Sequence, residues 1–115
     1  MRRLTKCLNI SRKEKNLLLR CRKSIHKISP KTKVILYGSR ARGDAIPESD
    51  YDLLVLVNRP VTLKEEDILR EQLFPIEIET GCVLTLNVYN LRDWDSVLYK
   101  VMPFRQNVER EGLVI

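Results

Sequence analysis

The stretch "GSRARGDAIPESDYDLLVLV", residues 38–57, runs from a Gly-Ser turn through a polar loop into an apolar segment carrying Asp50 and Asp52 two residues apart. The run before it, "KVILY" at 33–37, is β-branched and aromatic and is closed by Gly38, so it reads as a buried strand. "YDLLVLV" at 51–57 is apolar on both faces, which predicts a central strand with matter packed on each side. Between the two strands there is room for a single helical turn and a loop punctuated by Gly43 and Pro47.

Residues i and i+2 of a strand project from the same face with Cα atoms about 6.6 Å apart, so Asp50 and Asp52 are placed to converge on one site. Two carboxylates that close repel, and burying them unpaired raises a pKa and costs stability; a divalent cation offsets this. Mg²⁺, with Mn²⁺ as a substitute, suits such a pair because it takes oxygen ligands at about 2.0–2.1 Å and completes its shell with water and substrate phosphate. The substrate implied is a nucleoside triphosphate. Gly38 lets the backbone approach an anion, Ser39 adds a hydroxyl at the start of the helical turn, and Arg40 and Arg42 add cationic forks for phosphate.

The pattern is neither a Walker A loop nor a G-x-G-x-x-G dinucleotide turn. "RGD" at 42–44 is too short to argue for adhesion. A plain turn, with Ser49 and Asp50 closing the loop by side-chain to backbone hydrogen bonds, accounts for those two residues. It leaves unexplained Asp52, a charge inside an apolar strand, where an unpaired acid is costly.

On these residues the chain resembles the minimal nucleotidyltransferases, a branch of the DNA polymerase beta-like nucleotidyltransferase superfamily, in which a Gly-Ser turn precedes an Asp-x-Asp strand by about ten residues. The specific match covers roughly residues 34–57. The resemblance implies an α+β nucleotidyltransferase fold, a small mixed sheet flanked by helices. It puts phosphate binding on Gly38 and Ser39 and the metal-binding, catalytic acids on Asp50 and Asp52. Such enzymes transfer a nucleoside monophosphate, here most simply AMP from ATP, with Mg²⁺ clamping the attacking and leaving oxygens.

The family normally brings a third carboxylate from the next strand. That strand is "CVLTLNVY" at 82–89, whose site-facing positions by alternation are Thr85 and Asn87, neither an acid. Glu77 and Glu79 could substitute only if the strand began earlier. An alternative expectation is therefore a non-catalytic module that binds nucleotide or a partner. The resemblance also implies a helical partner of the HEPN type, with this chain as the antitoxin of a toxin-antitoxin pair.

Around this centre, residues 11–28 place Leu17, Leu18, Cys21, Ile25 and Ile28 on one helical stripe, with Ser11 as the cap and Pro30 as the stop. His26 reads as a surface residue. Residues 62–81 form a second helix with Leu63, Ile68, Leu69, Leu73 and Ile76 inward, Thr62 and Gly81 at its ends, and Pro75 as a kink. A short turn around Trp94 and a last helix from Pro103 to Glu111, stopped by Gly112, complete the order.

At 115 residues the length suits one domain spanning 1–115, with residues 1–10 expected to be disordered. The 43% hydrophobic and 31% charged content is globular, with no apolar run near 18 residues and no signal-peptide pattern, so a cytoplasmic protein is expected. Cys7, Cys21 and Cys82 are odd in number and widely spaced, which argues for free thiols. Of the net charge of +6, residues 1–33 carry twelve Lys or Arg against Glu14 alone, a basic segment able to attract anions. It contains no aromatic residue for base stacking, which makes nucleic acid the weaker partner expectation.

Overall fold

The computed structural model describes residues 1–7 and 9–115. In chain order the elements are β1 (Arg2–Arg3), a 3₁₀ turn (Leu4–Lys6), α1 (Arg12–Ile28), β2 (Lys33–Tyr37), α2 (Ser39–Arg42), β3 (Tyr51–Val57), α3 (Leu63–Thr80), β4 (Leu84–Asn90), α4 (Leu91–Trp94), α5 (Val97–Lys100), α6 (Pro103–Glu111) and β5 (Leu113–Val114). The strands form one mixed sheet in the order β1-β5-β2-β3-β4. β3 runs antiparallel to β2 and parallel to β4. This is the α+β mixed sheet flanked by helices expected from the sequence.

β3 is interior and buried on both faces, because alternate residues supply two separate cores. Leu53, Val55 and Val57 pack with Leu17, Leu18, Cys21 and Ile25 of α1 and Leu69, Leu73 and Ile76 of α3. Leu54 and Leu56 point the other way, into a smaller core with Ile35, Trp94 and Val108. Each fully buried Leu contributes about 2 kcal/mol, so the strand that carries Asp52 is also the one most firmly held.

α1 starts as its sequence dictates. The Ser11 hydroxyl accepts from the Glu14 N–H at 3.1 Å, and the Glu14 carboxylate reaches back to the Ser11 N–H, a reciprocal capping box. Four residues of the predicted stripe are buried, whereas Ile28, in the last turn, is exposed. In α3 Leu69, Leu73 and Ile76 are buried, but Leu63 in the first turn is exposed. Pro75 lies inside α3, which continues to Thr80, and Gly81 ends it at φ +72°. His26 is half-buried, its Nε2 2.9 Å from the Thr32 carbonyl. The three cysteines are free, Cys7 and Cys21 buried and Cys82 half-buried. No helix among the described residues is long and apolar enough to cross a membrane.

Two strands escaped the sequence reading. β1 and β5 have two residues each and pair in parallel, Arg2 opposite Leu113 and Arg3 opposite Val114, while β5 pairs antiparallel with β2. β1 lies within residues 1–10, the segment expected to be disordered. Arg2 and Arg3 are in the sheet, and Leu4, Cys7 and Ile10 are buried in the larger core.

Candidate active site

β3 begins at Tyr51, one residue after Asp50, so Asp50 is the last residue of the loop instead of a strand residue, and it is exposed. Among the described residues its carboxylate has no hydrogen bond or ion pair. Ser49 closes the loop on itself: its hydroxyl accepts from the Ile46 N–H at 3.0 Å, and its N–H donates to the Ile46 carbonyl at 3.0 Å. Asp50 thus has no part in shaping the turn.

Asp52 is half-buried and held on two sides. Thr85 lies directly opposite on β4 and its Oγ1 donates to Asp52 Oδ1 at 2.7 Å. On the other side Tyr37 is its register partner on β2, which brings Gly38 against the second carboxylate oxygen. Gly38 has φ +77°, and a Cβ there would collide with Asp52 Oδ2. Glycine is required at this position twice, for its backbone conformation and for the space it leaves.

Asp52, Thr85 and Asn87 share the sheet face that carries the smaller, aromatic core. Asn87 Nδ2 donates to the Tyr37 hydroxyl at 2.6 Å, and the Tyr37 ring meets Phe104 edge-on at 5.4 Å between centroids. Burial holds the Tyr37 hydroxyl above its ordinary pKa; the Asn87 hydrogen bond opposes this and nearby Asp52 adds to it.

Ser39 opens α2 and is half-buried; its carbonyl accepts from the Gly43 and Asp44 N–H groups at 3.0 and 3.2 Å. Its hydroxyl makes no hydrogen bond within the described residues. Arg40, one of the two expected phosphate forks, is engaged within the protein. Its Nε and Nη2 donate to the Ser49 carbonyl at 3.2 and 2.9 Å, and Nη2 also to the Pro47 carbonyl at 3.0 Å. Its guanidinium lies 4.4 Å from the Tyr51 ring centroid, and Nη1 is 3.7 Å from Glu14. Arg40 here fastens the loop that delivers Asp50, because backbone carbonyls and an aromatic face have taken up its planar donor set.

Arg42 is exposed and pairs with Asp44 at 3.2 Å and Glu111 at 3.2 Å. Glu111 was not singled out from the sequence, yet its Oε1 also accepts from the Gly38 N–H at 3.1 Å. The acids considered as replacements for a third carboxylate are occupied elsewhere on α3: Glu77 accepts from the Leu84 N–H at 3.0 Å, and Glu79 pairs with Arg20. No group of three His, Cys, Asp or Glu among the described residues is arranged to hold a metal ion. The oxygens gathered near Asp52 are its own carboxylate and the Thr85 hydroxyl.

The comparison with known families agrees with this layout. Residues 18–107 match the nucleotidyltransferase domain family, from within α1 to within α6. The chain belongs to that family. A 34-residue stretch is 59% identical to a Methanocaldococcus jannaschii protein provisionally named a protein adenylyltransferase, covering 30% of this chain and 34% of that one. The matched stretch spans only about a third of that relative. In this nucleotidyltransferase domain the Gly38 turn and the Asp52 strand are adjacent in space, β2 to β3, as well as close in sequence.

Proposed function

We propose that this nucleotidyltransferase domain transfers a nucleoside monophosphate, AMP from ATP, to an acceptor hydroxyl in a Mg²⁺-dependent reaction, the acceptor oxygen displacing pyrophosphate from the α-phosphorus and the hydroxyl proton passing to solvent. The observation that carries the reading is the placement of Asp52: one carboxylate oxygen bonded by Thr85, the other against the Gly38 turn, with Asp50, two residues before it, unengaged among the described residues. The donor set fits a hard cation, since Asp50 and Asp52 offer only oxygens, and these two acids would hold Mg²⁺, or Mn²⁺ in its place. When bound, the metal would neutralise charge developing on the phosphate oxygens. Gly38 and Ser39 would take the triphosphate, the Ser39 hydroxyl being a donor without a partner among the described residues, and Arg42 is an exposed cation of the turn.

The provisional name of the archaeal relative favours a protein as acceptor. A helical HEPN-type partner, with this chain as antitoxin, is the form of that idea suggested by the resemblance. The cytoplasm, where ATP and Mg²⁺ are abundant, is the compartment proposed for this chemistry.

Thr85 and Asn87, in place of an acid on β4, favour a second reading, a domain that binds nucleotide or a partner without turnover. Calorimetric titration of MgATP into the wild type and Asp52→Asn, followed by incubation with labelled ATP and candidate acceptors, separates the two. Binding lost in the variant with label transferred supports the enzyme. Binding without transfer leaves the module, and no binding by the wild type removes both nucleotide readings.

A further inference from the structure

We propose that Glu111 is a positioning residue for the Gly38–Ser39 turn, fixing it in the shape that receives triphosphate; the inference rests on the nucleotide-binding reading above. Glu111 ends α6, and its side chain is only 11% exposed. One carboxylate oxygen accepts from the Gly38 N–H at 3.1 Å and from Arg42 Nη1 at 3.3 Å; the other accepts from Arg42 Nη1 at 3.2 Å. A single acid therefore grips both ends of α2, the residue before its first turn and the last residue in it.

The backbone of residue 111 reinforces the grip. Arg2 Nη2 donates to the Glu111 carbonyl and to the Ala41 carbonyl, each at 2.8 Å, and Ala41 is the buried residue of α2. Residues from β1 and α6 thus hold the turn from one side while Asp52 abuts Gly38 from the other. A charge-assisted hydrogen bond from a backbone N–H to a carboxylate is stronger than a neutral one and suits a backbone in an uncommon conformation.

This arrangement has a chemical consequence. The Gly38 N–H is committed to Glu111, so Gly38 serves the triphosphate by the space it leaves and Ser39 supplies a donor of the turn. Glu111 acts only through Gly38 and Arg42 and has no role in the transfer itself.

The test compares wild type, Glu111→Ala and Glu111→Gln by MgATP titration and by hydrogen exchange at the Gly38, Ala41, Arg42 and Gly43 amides. Glu111→Ala is expected to weaken MgATP binding by about tenfold or more, since small displacements of positioning groups have effects of that size, and to speed exchange at those amides. Glu111→Gln, which retains an acceptor for Gly38, is expected to recover most of both and also covers the case in which the alanine variant does not fold. Unchanged affinity and exchange in both variants would overturn the proposal. Tighter MgATP binding would overturn it as well, by making Glu111 an occupant of the phosphate position. If the wild type binds no MgATP the nucleotide reading fails separately; exchange that quickens in Glu111→Ala then still supports Glu111 as the holder of the turn, and unaltered exchange refutes it.

Discussion

Thr85 and Asp52 face each other directly across the parallel pair of β3 and β4, and the threonine hydroxyl donates to the aspartate at 2.7 Å. A hydroxyl thus stands beside the half-buried acid, in the place where a third carboxylate would strengthen the proposed metal site.

Replacing Thr85 by Asp tests this. Without metal the new carboxylate faces Asp52 and is expected to destabilise the fold by about 1 kcal/mol, a fall of roughly 4 °C in Tm. Adding MgCl2 is expected to restore the midpoint in the variant and to raise it less in the wild type. Thermal melts in EDTA and in excess Mg²⁺ check the expectation; a variant indifferent to Mg²⁺ would deny that the two positions share a metal site.

Gly38 and Gly43 form a matched pair for mutation. Both have positive φ, +77° and +85°, but a Cβ at 43 meets nothing within 4 Å whereas one at 38 collides with Asp52. Gly43→Ala should incur backbone strain alone, about 1 kcal/mol, with MgATP binding unchanged. Gly38→Ala should cost about 2–3 kcal/mol and abolish binding. Denaturant unfolding and titration of the two variants side by side isolate the contact with Asp52.

Arg40→Lys retains the charge and loses the planar fork. A lysine cannot bond the Pro47 and Ser49 carbonyls together while lying over Tyr51. The expected result is faster amide exchange across residues 43–50, a loss of about 1 kcal/mol, and weaker MgATP binding because Asp50 follows Ser49 directly. Exchange mass spectrometry reads the first effect independently of nucleotide.

Cys21 predicts the alkaline behaviour of the core. Burial pushes its thiol up to about 12 from an ordinary value of 9.0. Between those values the folded chain keeps a proton that the unfolded chain has released, so stability is full below pH 9 and falls as pH rises toward 12. Tyr51, also pushed up to about 12 by burial and then by Glu14, adds to the decline above pH 10. Cys21→Ala should lower stability by a constant 1–2 kcal/mol or so for the lost packing and flatten the alkaline slope. Urea midpoints on either side of pH 9 distinguish offset from slope.

Sequence patterns revealed elements whose cause is local. α1 was readable because a 3.6-residue stripe coincides with Ser11 and Glu14 at capping spacing, and β3 because its apolar run is continuous. β1 and β5 were not, since two residues carry no periodicity and their pairing joins Arg2 to Leu113. The site divides in the same way. The arrangement of Gly38 beside Asp52 follows from adjacent strands. Arg40 instead takes its role from carbonyls, which every residue has, and Glu111 from a contact 73 residues away that no spacing encodes.

β3 has one further property. Leu53, Val55 and Val57 enter one core and Leu54 and Leu56 the other, so a one-residue slip against β2 would exchange aliphatic residues for aliphatic residues, with little hydrophobic penalty. Asp52 breaks that near-degeneracy, because a slip would drive its carboxylate among the side chains of α1 and α3. The acid proposed for chemistry therefore also acts as a register pin, as a lone buried polar residue does in a coiled coil. Exchanging it for an apolar residue would relax the alignment of the sheet as well as empty the site.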